Sequence, residues 1–324
     1  MTHALITGGA GFIGLHLARR LLRNGWRVDL LDDFSRGARD SDLLATMRND
    51  GLTLREGDLR NPAFVESLPR SYTEIFHFAA ILGVSNVIER PFQVLEINVA
   101  LTVAAITIAR RQTGLRRLIF ASTSEVYAGA LEHFTLPIPT PETAPLALAS
   151  LNRPRSSYML SKIYGEALCL HAGLPVTIIR PHNVYGPRMG LAHVIPELLE
   201  RGHRAPDGGL LEVFSVDHTR TFCFIDDAVE MIVRLAAAEA ARGRVVNVGT
   251  QAPEISIGRL AEVIVAALGK QLALVPRPAT QGSPVRRAPD MSLCAELTGY
   301  RSRIGIEEGV AQTWAWYRDR IAPG

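Results

Sequence analysis

A chain of 324 residues with 47% hydrophobic content can bury the core of one large or two modest domains. A formal net charge of +3 with a pI near 8.9 suits an anionic small molecule, and no long basic run argues for nucleic acid. Cys169, Cys223 and Cys294 are odd in number and scattered, which speaks against a disulfide framework or a metal site and for a reducing cytoplasm.

The chain reads into a strand from the start, with no signal peptide: His3-Ala4-Leu5-Ile6-Thr7 is a short apolar run followed by Gly8-Gly9-Ala10-Gly11-Phe12-Ile13-Gly14. Leu15, Leu17, Ala18, Leu21 and Leu22 then keep a helical period up to the stop at Asn24-Gly25. Strand, glycine turn and helix in this order form a dinucleotide-binding unit. Gly8 permits the tight turn, Gly11 lets backbone approach a pyrophosphate, and Gly14 lets the helix close on the strand. The helix N-terminus offers free N–H groups and a positive dipole end, a gain on the order of 1 kcal/mol for a phosphate. A second strand over 27–31 ends in Asp32-Asp33, and Asp32 lies eighteen residues past Gly14. A carboxylate there accepts from the adenine ribose hydroxyls and repels a ribose phosphate, favouring NAD over NADP. Arg36 on the following loop is the opposing signal.

Strands are expected next at Leu52–Glu56, leading into Gly57-Asp58-Leu59-Arg60, and over 75–78, where Phe78 leads into Ala79-Ala80. Small residues there let a cofactor lie across the strand ends. Pro91 marks a helix start, and Val94, Leu95, Asn98, Leu101, Ala105 and Ile108 follow a helical pattern. The apolar run over 99–109 is too short to span a bilayer and ends in Arg110 and Arg111, so no membrane contact is expected. Asn98 on that stretch needs partners, either as a tie between strand ends or as a cofactor-positioning group. The strand over 118–121 ends in Ser122-Thr123-Ser124-Glu125-Val126-Tyr127. Strands alternating with helices over the first 180 residues predict an α/β fold with a doubly wound parallel sheet. Ligands should sit beyond the carboxyl ends of its strands, where Thr123 and Glu125 fall.

In the stretch Ser157-Tyr158-Met159-Leu160-Ser161-Lys162, a helix would set Tyr158 and Lys162 one turn apart on one face. A free tyrosine has a pKa of about 10, too high for a base at neutral pH. Two unit charges about 4 Å apart at an effective dielectric near 20 interact by roughly 4 kcal/mol, and one pKa unit is about 1.4 kcal/mol. A lysine together with an oxidised nicotinamide therefore brings Tyr158 toward neutrality, as a base for a hydroxyl whose carbon loses hydride.

Beyond this stretch, a strand is expected over 174–180. Val194-Ile195-Pro196 introduces an amphipathic helix, and helices follow over 228–241, Ile257–Leu268 and 307–317, with a strand at Val245–Val248 returning to the sheet. The expected division is a nucleotide-binding domain over 1–180, rejoined by 222–250, and a substrate domain made of 181–221 and 251–324. His16, His133, His171 and His203 read as surface or packing residues. His182 follows Arg180-Pro181 near the expected nicotinamide and is a candidate cofactor contact.

Taken together, Thr7 to Gly14, Asp32, Gly57-Asp58-Leu59, Ser122 to Tyr127, Tyr158-x-x-x-Lys162 and Arg180-Pro181-His182-Asn183-Val184-Tyr185-Gly186-Pro187 run in one order along nearly the whole chain. The chain resembles an extended short-chain dehydrogenase/reductase of the NAD-dependent epimerase/dehydratase family, the nucleotide-sugar modifiers. That resemblance implies Thr123, Tyr158 and Lys162 as the catalytic core, and Phe12, Ile13, Asp58, Leu59 and Asn98 as contacts or positioners of NAD. It implies Asn183, Arg188, Arg220 and Arg287 on the substrate diphosphate side. Three departures are visible: Ala128 precedes Gly129 where relatives carry glycine directly, Met159 follows Tyr158 where relatives often have a small residue, and Ser215-Val216-Asp217-His218 replaces a glycine-aspartate-glycine turn.

The reaction implied is transient oxidation at the sugar C4, with 4-epimerisation the leading expectation. Decarboxylation of a uronic acid, or 4,6- or 5,6-dehydration, follows closely, since Thr123-Ser124-Glu125 resembles the triplet of decarboxylases and some dehydratases. A non-catalytic nucleotide-sensing relative is the reading from another class, opposed by the presence of all three catalytic groups. The resemblance also implies a homodimer built on the helix after Pro91 and the helix of Tyr158.

Overall fold

The first strand, β1 (His3–Thr7), is buried at every position, as a strand covered on both faces must be. The computed structural model describes residues 2–279 and 284–321. After β1 come β2 (Arg27–Asp32), β3 (Leu52–Glu56), β4 (Glu74–His77), β5 (Arg117–Ala121) and β6 (Val176–Pro181). The chain then leaves for β7 (Val184–Tyr185), β8 (Leu210–Phe214), β9 (Thr219–Arg220) and β10 (Cys223–Phe224), and returns as β11 (Val245–Val248). Seven strands form one parallel sheet in the order β11-β6-β5-β4-β1-β2-β3. The order reverses between β1 and β4, which opens the crevice where ligands of such sheets bind. Small sheets follow outside it: β12 (Ile255–Ser256), β9 and β14 (Arg286–Arg287) form one, and β8 pairs with β13 (Ala273–Arg277).

Alternate side chains of these strands feed two separate cores. Ala4, Ile6, Leu30, Ile179 and Val246 join the helices Phe12–Arg23 and Ile225–Ala237 on one face. Leu5, Leu31, Leu118, Phe120 and Ile178 join Ile106, Ile108 and Cys169 of the helices Pro91–Arg110 and Ser156–Leu170 on the other. The first core continues into the helices Val194–Arg204, Ile257–Leu268 and Ile306–Tyr317.

Several expectations shift in detail. The apolar run over 99–109 lies within the helix Pro91–Arg110, whose 20 residues are long and apolar enough by length and composition alone to cross a membrane. Here it lies against the helix Ser156–Leu170 with Asn98 and Thr102 buried. The helix expected over 228–241 runs Ile225–Ala237, and Glu239–Ala241 is a separate tight turn. Pro196 lies inside the first turn of its helix, where a missing N–H breaks no helical bond. Gly129 is the close-approach glycine of its segment: a Cβ there would stand 2.0 Å from the Ala147 carbonyl oxygen.

Candidate active site

The glycine turn is built for close approach. Gly8 has φ +68°, and a Cβ on it would stand 2.8 Å from the Ala79 nitrogen. A Cβ on Gly14 would meet the Gly8 carbonyl oxygen at 2.5 Å, and the Gly11 N–H donates to that same oxygen at 3.1 Å. The helix Phe12–Arg23 starts with no side-chain cap and no acidic residue in its first turn, so its positive end faces the crevice uncompensated. Asp32 closes the other side: Oδ2 accepts from the Ala10 N–H and Oδ1 from the Phe34 N–H, each at 2.9 Å. Burial pushes its carboxyl up, against the pull of those two N–H groups. Each oxygen keeps acceptor capacity for a ribose hydroxyl. This cradle, which side chains would fill, fits a dinucleotide.

Around it, Phe12, Ile13, Phe78, Ala79 and Ala80 are half-buried. Asp33 instead folds its own turn, accepting from the Ser35 N–H and hydroxyl. Asp58 pairs with Arg60, while Leu59 is buried in the core with Leu31 and Val65. Asn98 accepts from the Ile81 N–H at 2.7 Å and donates to the Ile81 carbonyl at 2.9 Å and to Ser161 at 3.2 Å. It therefore ties the loop after β4 to the helix of Tyr158, a positioning arrangement.

That helix, Ser156–Leu170, brings Tyr158 and Lys162 to one face. The Lys162 Nζ lies 5.9 Å from the Tyr158 ring centre and 5.2 Å from the Phe120 ring, and donates to the Ala121 carbonyl at 2.8 Å. Burial pushes the Lys162 ammonium down to about 8. Tyr158 is pushed up to about 12, first by burial and then by the Glu125 charge, with the Thr123 hydroxyl and Arg36 pulling the other way. In the chain alone the lysine does not bring the phenol to neutrality; its ammonium is turned to a carbonyl at the end of β5. Thr123 caps the short turn Ser124–Tyr127, accepting from the Glu125 N–H at 3.2 Å.

Glu125 and Arg287 form an ion pair at 2.7 Å beside this centre. The Arg287 guanidinium holds the Glu125 carboxyl below its usual range, with Arg155 and Arg220 adding to the pull, against burial. Arg287 stands in register with Arg220 across β14 and β9, so two guanidinium stems rise side by side. Burial, then the Arg287 charge, pushes Arg220 down to about 10. Its Nη1 donates to the carbonyls of Thr219 and Val285, and its Nη2 to that of Pro284.

Two expected residues are engaged by groups of the chain itself. Arg188, expected on the substrate, points back: Nε pairs with Asp40 at 2.6 Å and Nη1 donates to the Ala10 and Gly11 carbonyls at 2.7 and 3.0 Å. A buried guanidinium turns to the nearest acceptors, and here these belong to the glycine turn. His182 lies beneath the site, 1% exposed, with Nε2 at 3.1 Å from the Asn247 Oδ1. Asn247 gives its amide hydrogens to Thr140 and Asp290, so Oδ1 accepts and His182 donates. Burial pushes the His182 ring down to about 3, which keeps it neutral. Asn183, at φ +41°, donates to the Thr221 carbonyl at 2.9 Å and so fixes the loop after β6 to the segment carrying Arg220.

Residues 4–249 match the NAD dependent epimerase/dehydratase family, and the chain belongs to it. It is 31% identical to a UDP-N-acetyl-alpha-D-glucosaminuronate decarboxylase of Bacillus cytotoxicus, over 97% of both chains. The structure of a UDP-glucose 4-epimerase from Thermotoga maritima with UDP-glucose superposes with a TM-score of 0.84 at 26% identity, covering 99% of this chain and 100% of that one. A dTDP-glucose 4,6-dehydratase from Streptomyces venezuelae, with NAD bound, gives 0.84 at 26% identity over 98% of each chain. The chain is an NAD-dependent enzyme of this family.

Proposed function

We propose that the enzyme decarboxylates a nucleoside-diphosphate-linked uronic acid through transient oxidation at the sugar C4. The observation that carries this reading is the Glu125–Arg287 pair, an ionised carboxylate and a guanidinium set beside Thr123 and Tyr158. A 4-epimerase needs proton exchange at one oxygen only, whereas decarboxylation needs a second protonation, at C5; a guanidinium beside the site also suits a substrate carboxylate.

When bound, NAD supplies reversible two-electron exchange at the sugar C4 and a positive charge on its oxidised ring. Tyr158 takes the C4 hydroxyl proton, with Thr123 orienting that oxygen. The carboxyl group on C5 is then β to a ketone. The C5–C6 bond breaks, its electron pair passes into the C4–C5 enolate, and carbon dioxide leaves. Thr123 and the protonated Tyr158 hold the enolate oxygen while C5 takes a proton from water oriented by Glu125. Tyr158 returns its proton to the oxygen as the C4 ketone is reduced. Arg220 and Arg287 hold the diphosphate and carboxylate charges. His182 and the loop at Asn183 support that pocket from below.

4-Epimerisation is the second reading, favoured by the Thermotoga maritima likeness. A panel of nucleotide sugars that includes uronic acids, read by mass, decides between them. Loss of carbon dioxide is the expected result; a new isomer of unchanged mass on a neutral sugar, with uronic acids untouched, would sink the proposal. Glu125→Gln should slow decarboxylation at least about a hundredfold and would be mild in an epimerase.

The assembly that fits is a homodimer. Phe92, Val103, Tyr164 and Leu170 stand exposed on the helices Pro91–Arg110 and Ser156–Leu170, which pack against each other. A monomeric mass by light scattering at micromolar concentration would contradict it. Three free, buried cysteines suit the cytoplasm as its compartment.

A further inference from the structure

Tyr158, Lys162 and Glu166 stand one helical turn apart along Ser156–Leu170. The mechanism above uses the first two and leaves the third without a role. Glu166 is 4% exposed, yet both its oxygens are engaged. Arg180 donates to them at 2.9 and 2.7 Å in a two-pronged pair, and the Ser122 hydroxyl donates to Oε1 at 2.5 Å. Ser122 directly precedes Thr123, and the residue before it, Ala121, accepts from the Lys162 Nζ at 2.8 Å. Lysine and glutamate are thus fastened to successive residues of the strand end that carries the catalytic threonine.

We infer that Glu166 is a positioning residue: its carboxylate, locked by Arg180 and Ser122, keeps Lys162 protonated and in register with Thr123. A buried ammonium with one carbonyl partner sheds its proton unless a negative charge stands near. The groups around Lys162 are few. On its own helix are Tyr158, Cys169 and Glu166; the Cys169 thiol, pushed up to about 12 by burial, stays neutral. From β4 comes His77, pushed down to about 3 by burial and then by Lys162, and so neutral. Glu125, from the turn Ser124–Tyr127, bears on Tyr158 and not on Lys162. The helix Pro91–Arg110 contributes only the uncharged Asn98, through Ser161, and β6 contributes Arg180 behind Glu166. Glu166 supplies the standing negative charge.

The composition offers a clean test, because only Lys162 and Lys270 among the 35 basic residues are lysines. Lys270 closes the end of the helix Val194–Arg204, donating to the His203 and Ala205 carbonyls. Protein grown on lysine labelled with carbon-13 at Cε should show two resonances, with Lys270→Arg assigning them, and the titration needs no cofactor or substrate. In Glu166→Gln the Lys162 midpoint should fall by at least about one pH unit, with Glu166→Asp between. An unchanged midpoint overturns the inference. If Glu166→Gln does not fold, Glu166→Asp takes its place: withdrawing the carboxylate by one methylene should still lower the midpoint, and an unchanged one overturns the inference equally.

In the holoenzyme the alkaline limb of kcat should move with the same sign. That arm rests on the decarboxylase reading, and the lysine titration does not. A shifted Lys162 midpoint without release of carbon dioxide would end the reading and leave the inference standing.

Discussion

At the carboxyl end of the sheet, Glu166 meets a guanidinium as buried as itself, 4% exposed on its side chain, and the chain of bonds continues through Tyr127 to Asn247. At the starting end, Glu74 is equally buried but leans on Arg116, whose side chain is 58% exposed, and its Oε2 has no hydrogen-bond partner among the described residues. Burial pushes Glu74 up to about 7, and Arg116 and Arg117 pull it back only in part. Asp29, on β2, lies between the two cases: burial raises it, but bonds from His3, Arg55 and Tyr72 outweigh that and hold it below its usual range. Of Asp29 and Glu74, the one held down is the one with partners on both of its oxygens. The end that carries the proposed site has Glu166 and Arg180 paired and buried together. The far end carries a carboxylate that titrates near neutrality.

The largest effect that tests this division is on turnover. Tyr158→Phe should lower the rate about a hundred- to ten-thousandfold and leave the melting temperature near wild type. Glu74→Gln should leave the rate unchanged. A Tyr158→Phe enzyme with near-native turnover would remove the catalytic end from the comparison altogether.

Much of that end was legible beforehand because it follows from local rules. Gly8, Gly11 and Gly14 are spaced by a turn and a helix start, and Tyr158 and Lys162 by one helical turn, so neither needs tertiary information. The parallel sheet follows from alternating apolar runs. Arg188 could not be placed because its acceptors, Ala10 and Gly11, lie 178 and 177 residues away. Arg220 and Arg287 are neighbours only through the register of two-residue strands too short for any periodicity. Glu166 left a faint signal, four residues after Lys162, but a glutamate on a helix is ordinarily solvated. Only Arg180, arriving from β6, shows that it is not.

The next effect is on stability and its pH dependence. The folded value for Glu74, about 7, lies above the ordinary 4.5. Its contribution is then fully present below the unfolded value and is lost as pH rises through the folded one. The difference amounts to on the order of 3 kcal/mol. Glu74→Gln should flatten the fall in stability between about pH 5 and pH 8 by that order, measured by urea unfolding at both values. An unaltered slope would mean that Glu74 is charged throughout and that the two ends do not differ.

The smallest effect sharpens the reason for the difference. Arg116 is more than half exposed on its side chain, at 58%, so its pairing with Glu74 at 3.1 Å is screened by water. Such a pair contributes at most about 1 kcal/mol. Removing it in Arg116→Ala lets the folded value of Glu74 climb further, because one of the two groups pulling it down is gone. Near pH 5 Glu74 is protonated in the folded chain and has no charge for Arg116 to stabilise. At pH 8 the charge is present and the pair is missing. The variant should therefore match wild type near pH 5 and fall below it by up to about 1 kcal/mol at pH 8, again by urea unfolding. An equal loss at both pH values would show that Arg116 acts through the packing of its stem, and that charge pairing is not what separates the two ends.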